Sequence, residues 1–354
     1  ALADQRILAL AMSGAMDLGT DRTIAPMARL ITPLLGGLLL IAALLSLSLG
    51  STSVNMAGGL LDWLRGADTL EAIVIGDIRL PRTLLAICVG AALGLSGAAL
   101  QGLLRNPLAD PGLIGASQGA ALGAAAVFYF GLLSFAGEMA PALAGLLGAG
   151  IALVLMLALA GSSRPSMVIM AGLAISTISG AALAMVLNFA PNPFAMQELV
   201  FWLLGSVSER GLDHLRILLP ALLIGGALIL RQRPLLYGLS LGERTAQSLG
   251  LNVKRGSRLI VLGAAVLVGS AVAVAGAIGF VGLIVPHLVR PLVNHRPDRL
   301  LIPSMLAGAT LVLCADLVVR LLPPGRELKL GVLTSLIGAP LFIWLVWRER
   351  QKWS

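Results

Sequence analysis

The sequence predicts an all-α, polytopic membrane protein of about ten transmembrane helices, on three observations. Hydrophobic residues make up 58% of the 354 and charged residues only 12%, with a mean hydropathy of +0.95; a soluble domain carries about 25% charged residues. The few charges are unevenly spread: uncharged runs of about 20 residues, the length that crosses a bilayer as a helix, alternate with short clusters rich in Arg, Pro and Gly. No stretch between these runs is long enough for a sizeable soluble domain.

Taken in order, residues 1–28 have no positive, apolar and cleavage-site pattern of a signal peptide and read as a cytoplasmic leader, leaving 29–354 as the transmembrane domain. The expected spans are 30–49, 80–104, 111–132, 139–161, 166–188, 214–230, 258–276, 279–292, 300–321 and 329–347. The second opens on Arg79 and Arg82 and stops at Arg105, where Asn106-Pro107 and Asp110-Pro111-Gly112 force a turn. The eighth is short and contains Pro286, so a full crossing is not assured by its length. Gly90 and Gly94, and Gly115, Gly119 and Gly123, recur every fourth residue, a spacing that lets helix backbones approach closely.

Orientation follows from the loop cations. With the N-terminus inside, seventeen of the 25 Lys and Arg residues fall on the inner side, which favours both termini in the cytoplasm and an even number of crossings. The basic balance thus reflects topology and anionic lipid, and nucleic acid is not needed to explain it.

Several chemistries are missing. The three lysines, Lys254, Lys329 and Lys352, do not follow glycine, so there is no phosphate-binding G-x-x-x-x-G-K-[ST] loop and no ATPase of that kind. No acidic or His relay runs through the spans, as an ion-coupled carrier would require. Asp316 is the clearest buried acid, and Arg320 one turn later is placed to neutralise it. His214, His287 and His295 are scattered, without metal-ligand spacing. Cys88 and Cys314 lie inside apolar runs and read as packed hydrophobes, not as a disulfide or metal pair. Neither a catalytic constellation nor a resident cofactor is expected.

One inner loop stands out. Within residues 239–257, LGERTAQSLG reads as a short helix between Gly242 and Gly250, too polar to cross and too short to fold alone. From the residues alone, a solvated connector and a partner-gripping element are equally good readings.

Three blocks carry a family resemblance: IRLPRTL…GAALGLSGAALQGLLRNPLADPGLIGASQGA, LGERTAQSLGLNV, and GAIGFVGLIVPHLVR continued by HRPDRLLIPSMLAGATLVLCADLVVR and ELKLGVLTSLIGAPLFIWL. In this order, from about residue 30 onward, they resemble the FecCD-type permeases of type II ABC importers for iron-siderophores, haem and cobalamin. The resemblance implies a homodimer in the inner membrane, a separate ABC ATPase dimer, and a periplasmic or lipid-anchored substrate-binding protein. The cargo it implies is a metal chelate, with ferric siderophore or haem preferred to cobalamin; an ion-driven secondary transporter is the alternative of another class.

Residue roles also follow from the resemblance. Leu241, Gly242, Glu243, Arg244, Ala246, Leu249 and Gly250 match the coupling element that meets the ATPase. Arg79, Arg82 and Arg320 match arginines that dock the binding protein through forked contacts to carboxylates; the competing reading is snorkelling to the interface. Ser162, Ser163 and Ser166 would fall at a cytoplasmic gate. Relatives commonly have Pro where this chain has Lys329, and Arg326 stays unassigned.

Overall fold

In a bilayer every backbone polar group must be paired within the protein, so uncharged 20-residue runs become helices. The computed structural model describes residues 21–50, 52–161, 165–190, 192–322 and 328–350. Helix α1 (Asp21–Ser48) begins within the stretch read as a leader. A short α2 (Met56–Leu64) precedes the long α3 (Leu70–Leu104). Next come α4 (Ala116–Phe130), α5 (Ala140–Ala160), α6 (Pro165–Asn188), the short α7 (Pro193–Leu203) and α8 (Leu215–Leu230). Two small helices, α9 (Arg233–Ser240) and α10 (Glu243–Ser248), lead to α11 (Val253–Ala275), α12 (Val281–Val289), α13 (Pro297–Leu321) and α14 (Leu330–Arg350). Seven helices are long and apolar enough to cross a membrane, and three shorter apolar ones, α4, α12 with its continuation to Val293, and α14, bring the described spans to ten.

Of the helices that lie between the expected spans, α2 and α7 each have a side-chain cap. Asn55 Oδ1 accepts the Gly58 N–H at 3.1 Å to start α2, and Asn192 Oδ1 accepts the Ala195 N–H at 2.8 Å to start α7. Helix α3 also starts ten residues earlier than expected. Its first part, Ile73–Arg79, is π-helical, and the Leu80 N–H returns to the Ile75 carbonyl. Pro81 has no N–H to continue the ordinary ladder, so the register slips just before it.

The core is built around α3, of which 89% of the apolar window is buried, against 11% for α1. Glycines set the approach. A Cβ on Gly90 or Gly94 would overlap the Gly308 or Ser304 carbonyl of α13, and one on Gly97 would overlap the Gly282 carbonyl of α12. The Gly119–Gly123 ridge does the same for α4 against Gly148 and Ala144 of α5. Lipid supplies no hydrophobic drive between helices, so dispersion contacts at these closest approaches hold the bundle together.

Two crossings are broken. The third begins as irregular chain, because Asn106 and Asp110 satisfy the backbone of Leu108 (2.9 Å) and Gly112 (2.6 Å) in place of a helical ladder. The other break is residues 276–280, ahead of α12. The two meet where Pro111 packs on Gly282, opposite Leu93 in the middle of α3. Irregular backbone at such depth is tolerated only when protein covers it, and Pro111 and Gly282 are both buried.

The glycine contacts carry a testable consequence. Gly94→Val or Gly97→Val should lower the unfolding free energy of the purified protein in detergent by about 1–3 kcal/mol or more. Gly36→Ala on α1, with nothing within 4 Å of the new methyl, should cause no loss in the same denaturation series.

Candidate functional site at the two ends of the bundle

At one end, α9 and α10 form a plate below α3 and α13. Leu235, Leu236 and Leu239 of α9 are buried, and Leu236 fills the space beside Gly102 at the end of α3. The Arg296 guanidinium stacks 4.5 Å from the Tyr237 ring centre and pairs with Asp298 at 2.9 Å, which fastens α9 to the start of α13. Helix α10 is one closed turn. Gly242 enters it at φ 114° and Gly250 leaves it at φ 77°, conformations that favour glycine.

Ala246 is fully buried against α9 beside Gly238. Glu243 and Arg244 are exposed, and so are Leu241 (52%) and Leu249 (61%). The sequence-predicted coupling residues are therefore together, on a turn whose one buried side chain anchors it and whose flanking leucines project from it. Two exposed leucines beside a charged pair make a small surface of mixed apolar and polar character.

At the opposite end the three arginines also come together, although not as free forks. Arg79 is 4% exposed; its guanidinium donates to the Leu47 and Ser48 carbonyls at 2.8 Å each and to the Thr52 carbonyl, closing the C-terminus of α1. Arg82 reaches Asp316 Oδ1 from Nε (2.9 Å) and Nη2 (2.8 Å). Arg320 takes Oδ2 from Nε (2.8 Å) and Nη2 (2.6 Å), and also donates to the Ser46 carbonyl and hydroxyl. Ser46 Oγ lies 2.6 Å from Thr83 Oγ1.

The expected Asp316–Arg320 pair is present, but Arg82 shares its carboxylate. The network ties α1, α3 and α13 at one point. Three guanidiniums and one carboxylate leave an excess of two positive charges, of which Arg82, with a side chain 19% exposed, is the most accessible. Simple snorkelling does not describe side chains so fully bonded.

A cavity of about 600 Å³ opens at this same end, between α4, α7 and the segment 206–210. Glu138, Glu198, Glu209, Arg210 and Lys329 contribute charge to its wall, and Lys329 stands 5.4 Å from the Phe201 ring centre. Burial pulls the Arg210 guanidinium below its usual range, against the opposing pull of Glu209 and Glu138. Sequence reasoning missed this cavity because its groups come from five separate segments.

Ser162 and Ser163 lie outside the described residues, as does Arg326, and Ser166 falls in the first turn of α6. Cys314, read as packed, is exposed on α13, while Cys88 is buried. Among the described residues no group of three or more His, Cys, Asp or Glu side chains could hold a metal ion.

A ten-span bundle with an exposed turn at one end and a cationic cluster at the other has the layout of a transmembrane permease subunit. The chain belongs to the FecCD transport family, whose model matches residues 38–348. It is 38% identical to the hemin transport system permease protein HmuU of Yersinia pestis, over 91% of this chain and 97% of that one. It is 37% identical to the vitamin B12 import system permease protein BtuC of Klebsiella pneumoniae, over 89% and 92%. A solved structure described as an inward-facing conformation of a metal-chelate type ABC transporter superposes with a TM-score of 0.79, at 34% identity, covering 90% of this chain and 99% of its own. The protein is thus a permease of the metal-chelate, haem, siderophore and cobalamin importers and not an enzyme; ATP hydrolysis belongs to a separate subunit.

The Asp316 network predicts its own cost of disruption. Asp316→Asn strands two largely buried cations and should destabilise the purified protein by about 3–5 kcal/mol. Removing Arg320 as well, in Asp316→Asn/Arg320→Gln, should recover part of that loss in the same thermal or denaturant measurement.

Proposed function

We propose that the chain is the membrane subunit of an importer that carries an iron chelate, ferric siderophore or haem, into the cytoplasm. It works as a homodimer in the inner membrane with both termini inside, between an ABC ATPase dimer and a periplasmic or lipid-anchored binding protein. The observation that carries this reading is the α9–α10 plate. A turn exposing Leu241, Leu249, Glu243 and Arg244, anchored rigidly to the core helix, suits transmission of force from another protein. Closure of the ATPases would push it and rock the spans as a rigid body.

On the outer face, the excess charge around Asp316 would attract carboxylates of the binding protein. Because Arg79, Arg82 and Arg320 are already bonded within the chain, docking would draw on their summed field and on Arg82's exposed edge. Field-driven docking raises association rates and weakens with salt. Ser162, Ser163 and Ser166 remain the proposed inner gate, since small hydroxyl side chains let two symmetry-related loops close without burying charge.

The iron reading draws on the likeness to the haemin permease. Cobalamin is the second reading, favoured by a nearly equal identity to the vitamin B12 permease. An ion-driven carrier is disfavoured because Asp316 is held by two arginines.

Vesicles holding the permease, its ATPase and its binding protein test the proposal. Uptake of a ferric siderophore or haem, dependent on ATP, is expected; uptake of cobalamin alone would exchange the first reading for the second. Leu249→Asp should lower substrate-stimulated ATP hydrolysis about tenfold, the scale of losing an apolar anchor, without changing binding-protein affinity. Arg82→Gln should do the reverse, slowing binding-protein association several-fold at low salt and little at high salt.

A further inference from the structure

Between α8 and α11, at the end that carries the α9–α10 plate, lies a groove that the transport reading does not use. The two helices meet at Gly225 and Gly263, where a Cβ on either would come within 2.8 Å of the other's carbonyl oxygen. Beyond that crossing Gln232 and Leu235 pack against Gly256 of α11 and hold the helices apart. The gap has a volume of about 490 Å³.

Its lining divides by chemistry. Leu228 and Leu259 are half-buried in its wall, and Arg231 and Arg255 contribute exposed guanidiniums. No acidic residue lines it. Neither guanidinium has a hydrogen-bond or ion-pair partner among the described residues, whereas Arg79, Arg82 and Arg320 at the opposite end are bonded to Asp316 or to carbonyls. Arg255 also sits in the first turn of α11, a 23-residue helix, where the helix dipole favours an anion.

We infer that this groove binds the phosphate headgroup of an anionic phospholipid. A free phosphate would use the arginines alone, but the site continues into an apolar track. On α8 the exposed Leu219, Leu223 and Ile224 run from mid-span toward Leu228 and Arg231, so an acyl chain can lie along the helix while its phosphate rests between the guanidiniums. Two unpaired like charges at the head of an apolar track are complementary to an anionic amphiphile. Basic pockets between spans are a general means of holding such headgroups. Occupancy would join α8, α9 and α11, and so brace the base of the plate.

The test is native mass spectrometry of the full-length protein in detergent, titrated with phosphatidylglycerol or with phosphatidylcholine of the same acyl chains. Retention of phosphatidylglycerol about fivefold or more above phosphatidylcholine is expected, falling to the phosphatidylcholine level in Arg231→Gln/Arg255→Gln. The double variant Arg65→Gln/Arg216→Gln, at the opposite end, should retain it as wild type does. Equal retention of the two lipids, or retention unchanged in Arg231→Gln/Arg255→Gln, overturns the inference. Displacement of the lipid by millimolar inorganic phosphate also overturns it, by making the site one for a free anion. If the double variant does not fold, the single variants are read instead. Each should lose part of the preference, and wild-type retention in both overturns it.

Discussion

The closest approach of α3 to its neighbours is the constraint on which the rest of this structure depends. Gly90 and Gly94 let the backbone of α13 touch α3, and Gly97 lets α12 do so. In water such contacts would share the load with hydrophobic burial. In lipid they stand almost alone, because a leucine gains little by leaving acyl chains for other leucines. A dense set of small residues is therefore the adhesive here, and the position of α3 fixes the helices around it.

Both proposed functional ends hang from that central helix. Where α3 passes from π- to α-helix, Arg82 meets Asp316 of α13 and Arg79 closes α1, so the cationic cluster exists only in the register that the glycine contacts set. Where α3 ends, Gly102 receives Leu236, the buried foot of the plate. A displacement of the plate thus presses on one rod that spans the membrane and carries the opposite cluster. Close-packed interiors respond to such a push by switching between discrete packings more readily than by bending.

Much of this was legible in the residues. The spans follow from charge-free length, the α10 turn from its two bounding glycines, and the Asp316–Arg320 pair from helical spacing. What escaped is what depends on distance along the chain. Nothing local tells that Arg82 will share a carboxylate 234 residues away, or that Arg79 will close the end of α1 instead of facing outward. Within the π-helical start of α3, Trp63 packs over Gly76, a contact set by the fold. The helix of the third span, α4, begins only after Asn106 and Asp110 have won their local hydrogen bonds, a competition that hydropathy does not register.

The two broken crossings are the loosest-packed joint described in the bundle's interior. They face one another across a cavity of about 190 Å³ whose wall includes Asp110, Ser117, Gly279 and Phe280. Phe280 begins α12 at φ 66°, a conformation an aromatic residue adopts at a cost of about 1–3 kcal/mol. What holds it there is a notch in α14, where a side chain on Gly338 would collide with the Phe280 ring. Nearby, Gly331 at the head of α14 is wedged between the carbonyls of Leu204 and Ala277, and its N–H donates to Gly205 at 3.3 Å. Helix α14 is thus keyed to the break before α12 at both points. The strained residue and the void beside it thus lie together at the joint between α12 and α14, apart from the tightly sheathed α3.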